Sequence, residues 1–407
     1  MEKNEQYVDV DMLLEILLRL PAKYVGRFLC VSKFWATTIG SRDFVRSYSL
    51  REKQPPRLLL AFNTQVKGYQ ESWHFFSKSC VRDRAPDPVL RTPWSCRKAA
   101  EIRRRRAAKL GKKTEPPRAP EVPPDFVSST VLEFKKQRYK QPCYAHGLMS
   151  FLYGDDQVIC NPTTGKSLTL PPASVESTEM IVRSFLGYDP ISAQYKVLCL
   201  TNVTRFCEHQ VLTLGSANSN CSWRVIHCSS IVPHFPGTDS VCIGGVLYYT
   251  ASPCLNMKEP FLVAFDLRSE ALEIASMFPE DLESCNGTNL INYHGKVALV
   301  TQTNGGEVYH FYLWVFQDAQ KWSKQHLILR LGVSRRVDRR LEILGTSDLG
   351  EIVFAPIHFE DLVIVYYLDQ KTNRVTTVFL KGNPNYKFRD FHQVFTFLHY
   401  VDSLMLI

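Results

Sequence analysis

The chain of 407 residues lacks any run of 18 or more consecutive apolar residues, so no membrane-spanning helix is expected. Its opening stretch, MEKNEQYVDVD, is acidic and polar and does not read as a signal peptide. None of the twelve cysteines pair as Cys-x-x-Cys at the spacing of a structural zinc site. The expectation is reduced, buried thiols in an intracellular protein of the nucleus, the cytoplasm or both. No Gly-x-Ser-x-Gly elbow occurs. Gly165-Lys166-Ser167 ends like a phosphate-binding loop, but Cys160 stands where the first glycine is needed and the strand-like LTLPP follows instead of a helix. His227, Cys221 and Cys228 come nearest to a metal cluster. Adjacent side chains on a strand point opposite ways, however, so His227 and Cys228 do not share a metal. His392 and His399 flank a strand without an evident carboxylate partner. No catalytic, cofactor-binding or metal-binding residue is therefore expected.

The net charge of +9 is concentrated in one place. Between Arg91 and Arg118 lie 11 Lys or Arg and 2 acidic residues, so the rest of the chain is neutral in sum. This basic, Pro-rich stretch, residues 83–125, is expected to be a mostly disordered insert. Arg103, Arg104, Arg105 and Arg106 could serve as a nuclear import signal or a polyanion contact. No aromatic residues interleave them, which argues against single-stranded nucleic acid.

What is present divides in two. In residues 1–50, Met12, Leu13, Ile16, Leu17 and Leu20 fall at helical spacing, with Leu14 and Leu18 widening the apolar face. Asp11 is placed to cap this helix, and Pro21 ends it. Further helices are expected from Ala22 or Lys23 to about Cys30 and from Ser32 to Ile39. Some 40 residues without a metal or disulfide rarely stand alone, so the surplus apolar surface calls for the following domain or another protein.

Residues 57–407 read as β structure. Arg57–Phe62 and Ser72–Ser77 are strand-like, and from Phe126 apolar runs are broken by Gly, Pro, Asn and Asp. Gly147, Gly245, Gly295 and Gly350 each precede a short hydrophobic strand. Their spacings of 98, 50 and 55 residues give a period near 50, with one unit, holding Tyr195–Leu200, lacking its glycine. Such a period predicts a kelch-like propeller with antiparallel blades. Five units are countable, and the strands near Arg57–Ser77 and Gln393–Tyr400 could close the ring. An irregular sandwich is the alternative.

Leu20-Pro21, Arg27-Phe28, Cys30-Val31-Ser32-Lys33, Trp35 and Ser41-Arg42-Asp43-Phe44 resemble the plant-type F-box in order and spacing. The chain departs from that pattern at Val8-Asp9-Val10-Asp11, where the family has a proline, and at Leu29, where it often has a basic residue. A second resemblance, to the plant F-box associated domain, lies in Asn161-Pro162-Thr163-Thr164-Gly165, Gly187-Tyr188-Asp189-Pro190, Tyr195-Lys196-Val197-Leu198, Trp223-Arg224-Val225-Ile226 and Phe265-Asp266-Leu267-Arg268-Ser269-Glu270. The resemblance implies the non-catalytic substrate receptor of a ubiquitin ligase, built on a Skp1-like adaptor, a cullin and an unknown target protein. It implies adaptor contacts from Leu13, Leu14, Ile16, Leu17, Leu20, Pro21, Val25 and Val31, with Cys30 and Trp35 packed inside. A ligand sensor or enzyme regulated through the F-box, or a nucleic-acid-associated factor acting through the basic insert, are the competing expectations. The residues of the second resemblance have a purely structural account as turn formers and sheet-filling aromatics, with Asp266 capping a turn.

Overall fold

A computed structural model describes residues 10–50, 57–65, 70–79, 85–86, 125–133, 141–173, 180–203, 206–215, 221–226, 233–253, 259–282, 288–305, 308–317, 321–330, 341–359, 362–381 and 392–405. Arg103–Arg106 and most of the basic insert lie outside them. At the insert's expected start, Ala85–Pro86 is not free chain but a short strand paired with Thr376 and Thr377.

Four helices come first: α1 (Val10–Arg19), α2 (Ala22–Phe28), α3 (Lys33–Ile39) and α4 (Arg42–Leu50). Asp11 lies inside the first turn of α1, where a carboxylate complements the helix N-terminus. Ser32 caps α3 by accepting from the Trp35 N–H, and Ser41 accepts from the Phe44 N–H at the start of α4. α4 is an element that the sequence reading did not assign.

The body is a six-bladed antiparallel propeller and not a sandwich. Blade 2 runs Cys143–Ala145, Leu148–Tyr153, Asp156–Asn161 and Lys166–Thr169. Blade 3 runs Met180–Asp189, Gln194–Val203, Phe206–Thr213 and Arg224–Ile226, and blade 4 runs His234–Ile243, Val246–Pro253, Phe261–Asp266 and Leu272–Met277. Blade 5 runs Asn289–Tyr293, Lys296–Gly305, Val308–Phe316 and Trp322–Arg330, and blade 6 runs Leu341–Thr346, Ile352–Pro356, Leu362–Asp369 and Arg374–Lys381. Blade 1 joins the two ends of the ring. Its strands Arg57–Gln65, Gln70–Ser79 and Asp125–Glu133 are completed by Phe395–Phe397, which pairs with Leu59–Ala61. Closure of this kind removes the sheet edges that would otherwise face one another across a gap.

Each blade is covered on both faces, which explains why its strands read as continuous apolar runs. In Arg57–Gln65, Leu58, Leu60 and Phe62 pack against Val353, Val365 and Tyr367 of blade 6. The alternate residues Leu59 and Ala61 pack with Met149, Phe151 and Tyr153 of blade 2. The other junctions repeat the scheme, between blades 2 and 3, 3 and 4, and 5 and 6. Phe278 and Leu282, after the last strand of blade 4, seal the remaining junction against Leu299 and Trp314 of blade 5. Trp73 is fully buried between blades 1 and 2 and donates its indole N–H to Tyr153 Oη at 2.9 Å.

Two kinds of turn recur on one face of the ring. The glycines singled out by the repeat all have positive φ, at 91° for Gly147, 88° for Gly245, 78° for Gly295 and 79° for Gly350. Three of them follow a residue that is also left-handed, His146, Gly244 or His294, as a tight hairpin with the strand twist demands. In blade 3, Ala193 at φ 52° takes the glycine's place. Between the third and fourth strands, Asn161, Asp266 and Asp369 each accept the main-chain N–H two residues on, all at 2.9 Å.

Candidate functional site

The helical head leaves several large apolar side chains uncovered. Its own core is small: Leu17, Ala22, Val25, Ile39, Phe44 and Tyr48. Tyr48 Oη donates to the Leu20 carbonyl at 2.9 Å, satisfying the chain just where Pro21 stops α1. Phe28 and Phe34 meet Trp35 edge-on at 5.6 and 5.4 Å.

This packing sorts the residues expected to contact an adaptor. Leu17 and Val25 are 2% and 0% exposed, so they belong to the head's interior and do not face outward. Leu13, Leu14 and Leu20 are partly covered, while Ile16 (49% exposed), Pro21 and Val31 (66%) are open. Val10, Met12, Tyr24 and Phe34 are open as well, although the sequence reading did not place them at the contact. Met12 precedes Ile16 by four residues, so helical register alone puts both on one stripe. Cys30, expected inside, is exposed, and Trp35 is half-buried. Among the described residues, six of the thirteen exposed large hydrophobic side chains lie between Val10 and Phe34, a concentration of uncovered apolar surface in this short stretch.

The head also contains a residue from the far end of the chain. Leu404, 1% exposed, packs into its core beside Leu17 and Val25. Sequence could not reveal this, because nothing local marks a contact across more than 350 residues. Arg46 of α4 donates to the Ile191 carbonyl of blade 3 at 3.3 Å, so the head rests on the face that carries the tight turns.

Charged side chains of the motifs quoted for the second resemblance join blades 3 and 4. Glu270 accepts from Lys196 Nζ at 2.7 Å and from both terminal nitrogens of Arg224 at 2.6 Å. These bonds, Arg224's first, hold the Glu270 carboxyl below its ordinary value against the opposing pull of burial. Asp189 accepts from Arg268 and from Ser192 and the Ile191 N–H. Burial alone would raise its pKa, but the hydrogen bonds outweigh it and keep the carboxyl well below the usual range. Asp266 accepts from the N–H groups of Arg268 and Ser269, the turn cap expected of it.

Several of the described histidines are paired or buried. His209 and His234 both reach Tyr249 Oη, at 3.2 and 2.9 Å. Burial, with His234 beside it, pushes His209 down to about 3. His399 meets Asp348 at 3.2 Å, a carboxylate that the sequence did not suggest. Among the described residues no three His, Cys, Asp or Glu are placed to hold a metal. An open groove of about 580 Å³ between blades 5 and 6 is lined by His326, Ile328, Arg330, Leu368, Gln370 and Asn373, an even mix of polar and apolar groups.

Comparison with known proteins assigns both regions. The F-box domain profile matches residues 9–47, and that of the F-box associated beta propeller domain matches residues 113–401. The chain is similar to the F-box protein At1g47810 of Arabidopsis thaliana, at 53% identity over 88% of this chain and 99% of that protein. It is also similar to the F-box protein At4g11590 of the same plant, at 34% identity over 100% of this chain and 94% of that protein.

Proposed function

Because this chain belongs to the F-box proteins that carry an F-box associated β-propeller domain, we propose that it is the substrate receptor of a Skp1–cullin–F-box ubiquitin ligase. The pairing of these two domains is typical of such subunits. The head docks a Skp1-like adaptor, which joins a cullin, and the propeller holds the target protein. The chain contributes no bond-making group. It raises the effective concentration of a target lysine beside the charged conjugating enzyme.

The observation that carries this reading is the apolar patch on the head. Ile16, Pro21 and Val31, with the partly covered Leu13, Leu14 and Leu20, form the contact, and Met12, Tyr24 and Phe34 extend it. Leu17 and Val25 hold these residues in place from behind. The six described free thiols support residence in a reducing compartment. The test is co-purification of the full chain with a Skp1-like adaptor and a cullin. Wild-type protein is expected to capture both, and a wild-type chain that captures neither overturns the proposal.

A further inference from the structure

The segment that follows the last blade strand is tied at both ends of its course. Tyr400 donates its N–H to the Arg57 carbonyl at 2.9 Å, and Asp402 pairs with the Arg57 guanidinium at 3.4 Å. Val401 donates to Tyr144 Oη, and the Ser403 N–H donates to Thr163 Oγ1 at 3.0 Å. Gly147 leaves the space for this passage, since a β-carbon there would lie 2.8 Å from Ser403 Cβ and from the Val401 oxygen. Met405 then packs beside the junction of blades 2 and 3, while Leu404 turns the other way into the core of the head.

One residue distinguishes blade 2 from its counterparts. The turn between third and fourth strands is capped by Asp266 in blade 4 and Asp369 in blade 6, but by Asn161 in blade 2. All three accept the same turn N–H. Only an amide also has hydrogens to give, and Asn161 Nδ2 donates to the carbonyls of Ser403 and Met405, each at 3.0 Å. These are the carbonyls on either side of Leu404.

We propose that Tyr400–Met405 is a clasp in which Asn161 and Leu404 are positioning residues, fixing the head's orientation against the propeller. The clasp matters to ubiquitin transfer because a receptor that works by proximity must hold its target at a set distance and angle from the adaptor. That consequence rests on the proposed function; the clasp does not.

Two variants of the full chain test it, with Leu404→Met as the conservative control. Asn161→Asp installs the residue that blades 4 and 6 use, so the turn cap stays and the two donations are lost. Leu404→Asp places a carboxylate in the head's core. For Asn161→Asp, solution scattering is expected to show a larger maximum dimension, and adaptor affinity is expected to stay within about twofold of wild type, because the patch is untouched. For Leu404→Asp, amide exchange in α1–α4 is expected to accelerate at least tenfold with blade strands unchanged, and adaptor affinity to fall at least tenfold. Leu404→Met should match wild type. Unchanged dimensions in Asn161→Asp together with unchanged head exchange in Leu404→Asp overturn the clasp. Failure of wild type to bind adaptor sinks the proposed function alone, since scattering and exchange still judge the clasp.

Discussion

Leu267 fills the space where Gly187 has no side chain: a β-carbon on Gly187 would lie 2.8 Å from Leu267 Cδ1. The two residues come from neighbouring blades, 3 and 4, and Leu267 is fully buried. Gly187→Ala is expected to cost about 1–3 kcal/mol by overpacking, and Leu267→Ala about 2–5 kcal/mol by leaving a cavity. The double variant should cost less than the sum of the singles by about 0.5 kcal/mol or more, because each change relieves the other. Urea unfolding of the three variants checks this, and strict additivity would show that the contact is not shared.

The same junction carries a charge network with a separable contribution. Lys196 is almost wholly covered, and Glu270 is its anionic partner. Glu270→Gln leaves the Lys196 ammonium with a neutral acceptor and takes the bidentate partner from Arg224. A loss of about 1–3 kcal/mol is expected, the range for a hydrogen bond to a charged group. Most of it belongs to the buried lysine, since Arg224 is half exposed and its ion pair is screened by solvent. Thermal unfolding of Glu270→Gln beside Arg224→Gln measures the division: the glutamate change should be the more damaging.

Acid should weaken the propeller through its buried histidines. His209 is pushed down to about 3 and His146 to about 4, both by burial first. An unfolded chain takes up a proton at each near pH 6.5, which the folded chain refuses. The unfolded state therefore binds more protons below that pH, and stability falls as pH drops from about 6.5 toward 4. The slope cannot exceed about 1.4 kcal/mol per pH unit for each histidine. Carboxylates such as Asp189 and Glu270, whose folded pKa values are lowered, add to the loss at lower pH, so the difference between proteins is the useful quantity. His209→Gln should flatten the decline of the urea midpoint between pH 6.5 and 5 relative to wild type. Parallel profiles would show that His209 is not the group refusing the proton.

These features differ in how far the sequence announces them. Gly147, Gly245, Gly295 and Gly350 were legible because a left-handed turn imposes a residue type and the blade imposes a spacing. The unit without a glycine was legible from its neighbours, and the structure fills it with Ala193 at φ 52°. Closure by the strand near Phe395 followed from the need to leave no free edge. The split of the head's leucines did not follow. Helical period places Leu17 with Ile16 and Leu20 on a broad apolar face, and only the packing of α2 to α4 and Leu404 decides that Leu17 is inside and Ile16 outside. Trp73 was missed because it sits in a strand whose both faces are buried, so alternation gives no signal. The basic stretch Arg103–Arg106 contributes a charge pattern and lies outside the described residues.

The division between Leu17 and Ile16 yields the sharpest expectation for the head. Ile16→Asp and Val31→Asp change open side chains, so each should leave the unfolding midpoint within about 0.5 kcal/mol of wild type. Each should weaken capture of a Skp1-like adaptor by about 2 kcal/mol or more if it stands at the centre of the contact. Leu17→Ala and Val25→Ala act in the opposite order. Leu17→Ala empties a core position and should destabilise the head by about 2–5 kcal/mol. Its loss of adaptor binding should be recovered at lower temperature, where more of the head is folded, whereas that of Ile16→Asp should persist. Calorimetric titration of adaptor into each variant at two temperatures separates the two behaviours. If Leu17→Ala lost binding with its helices fully protected from exchange, Leu17 would have to be a direct contact, and the burial that places it behind the surface would not describe the bound head.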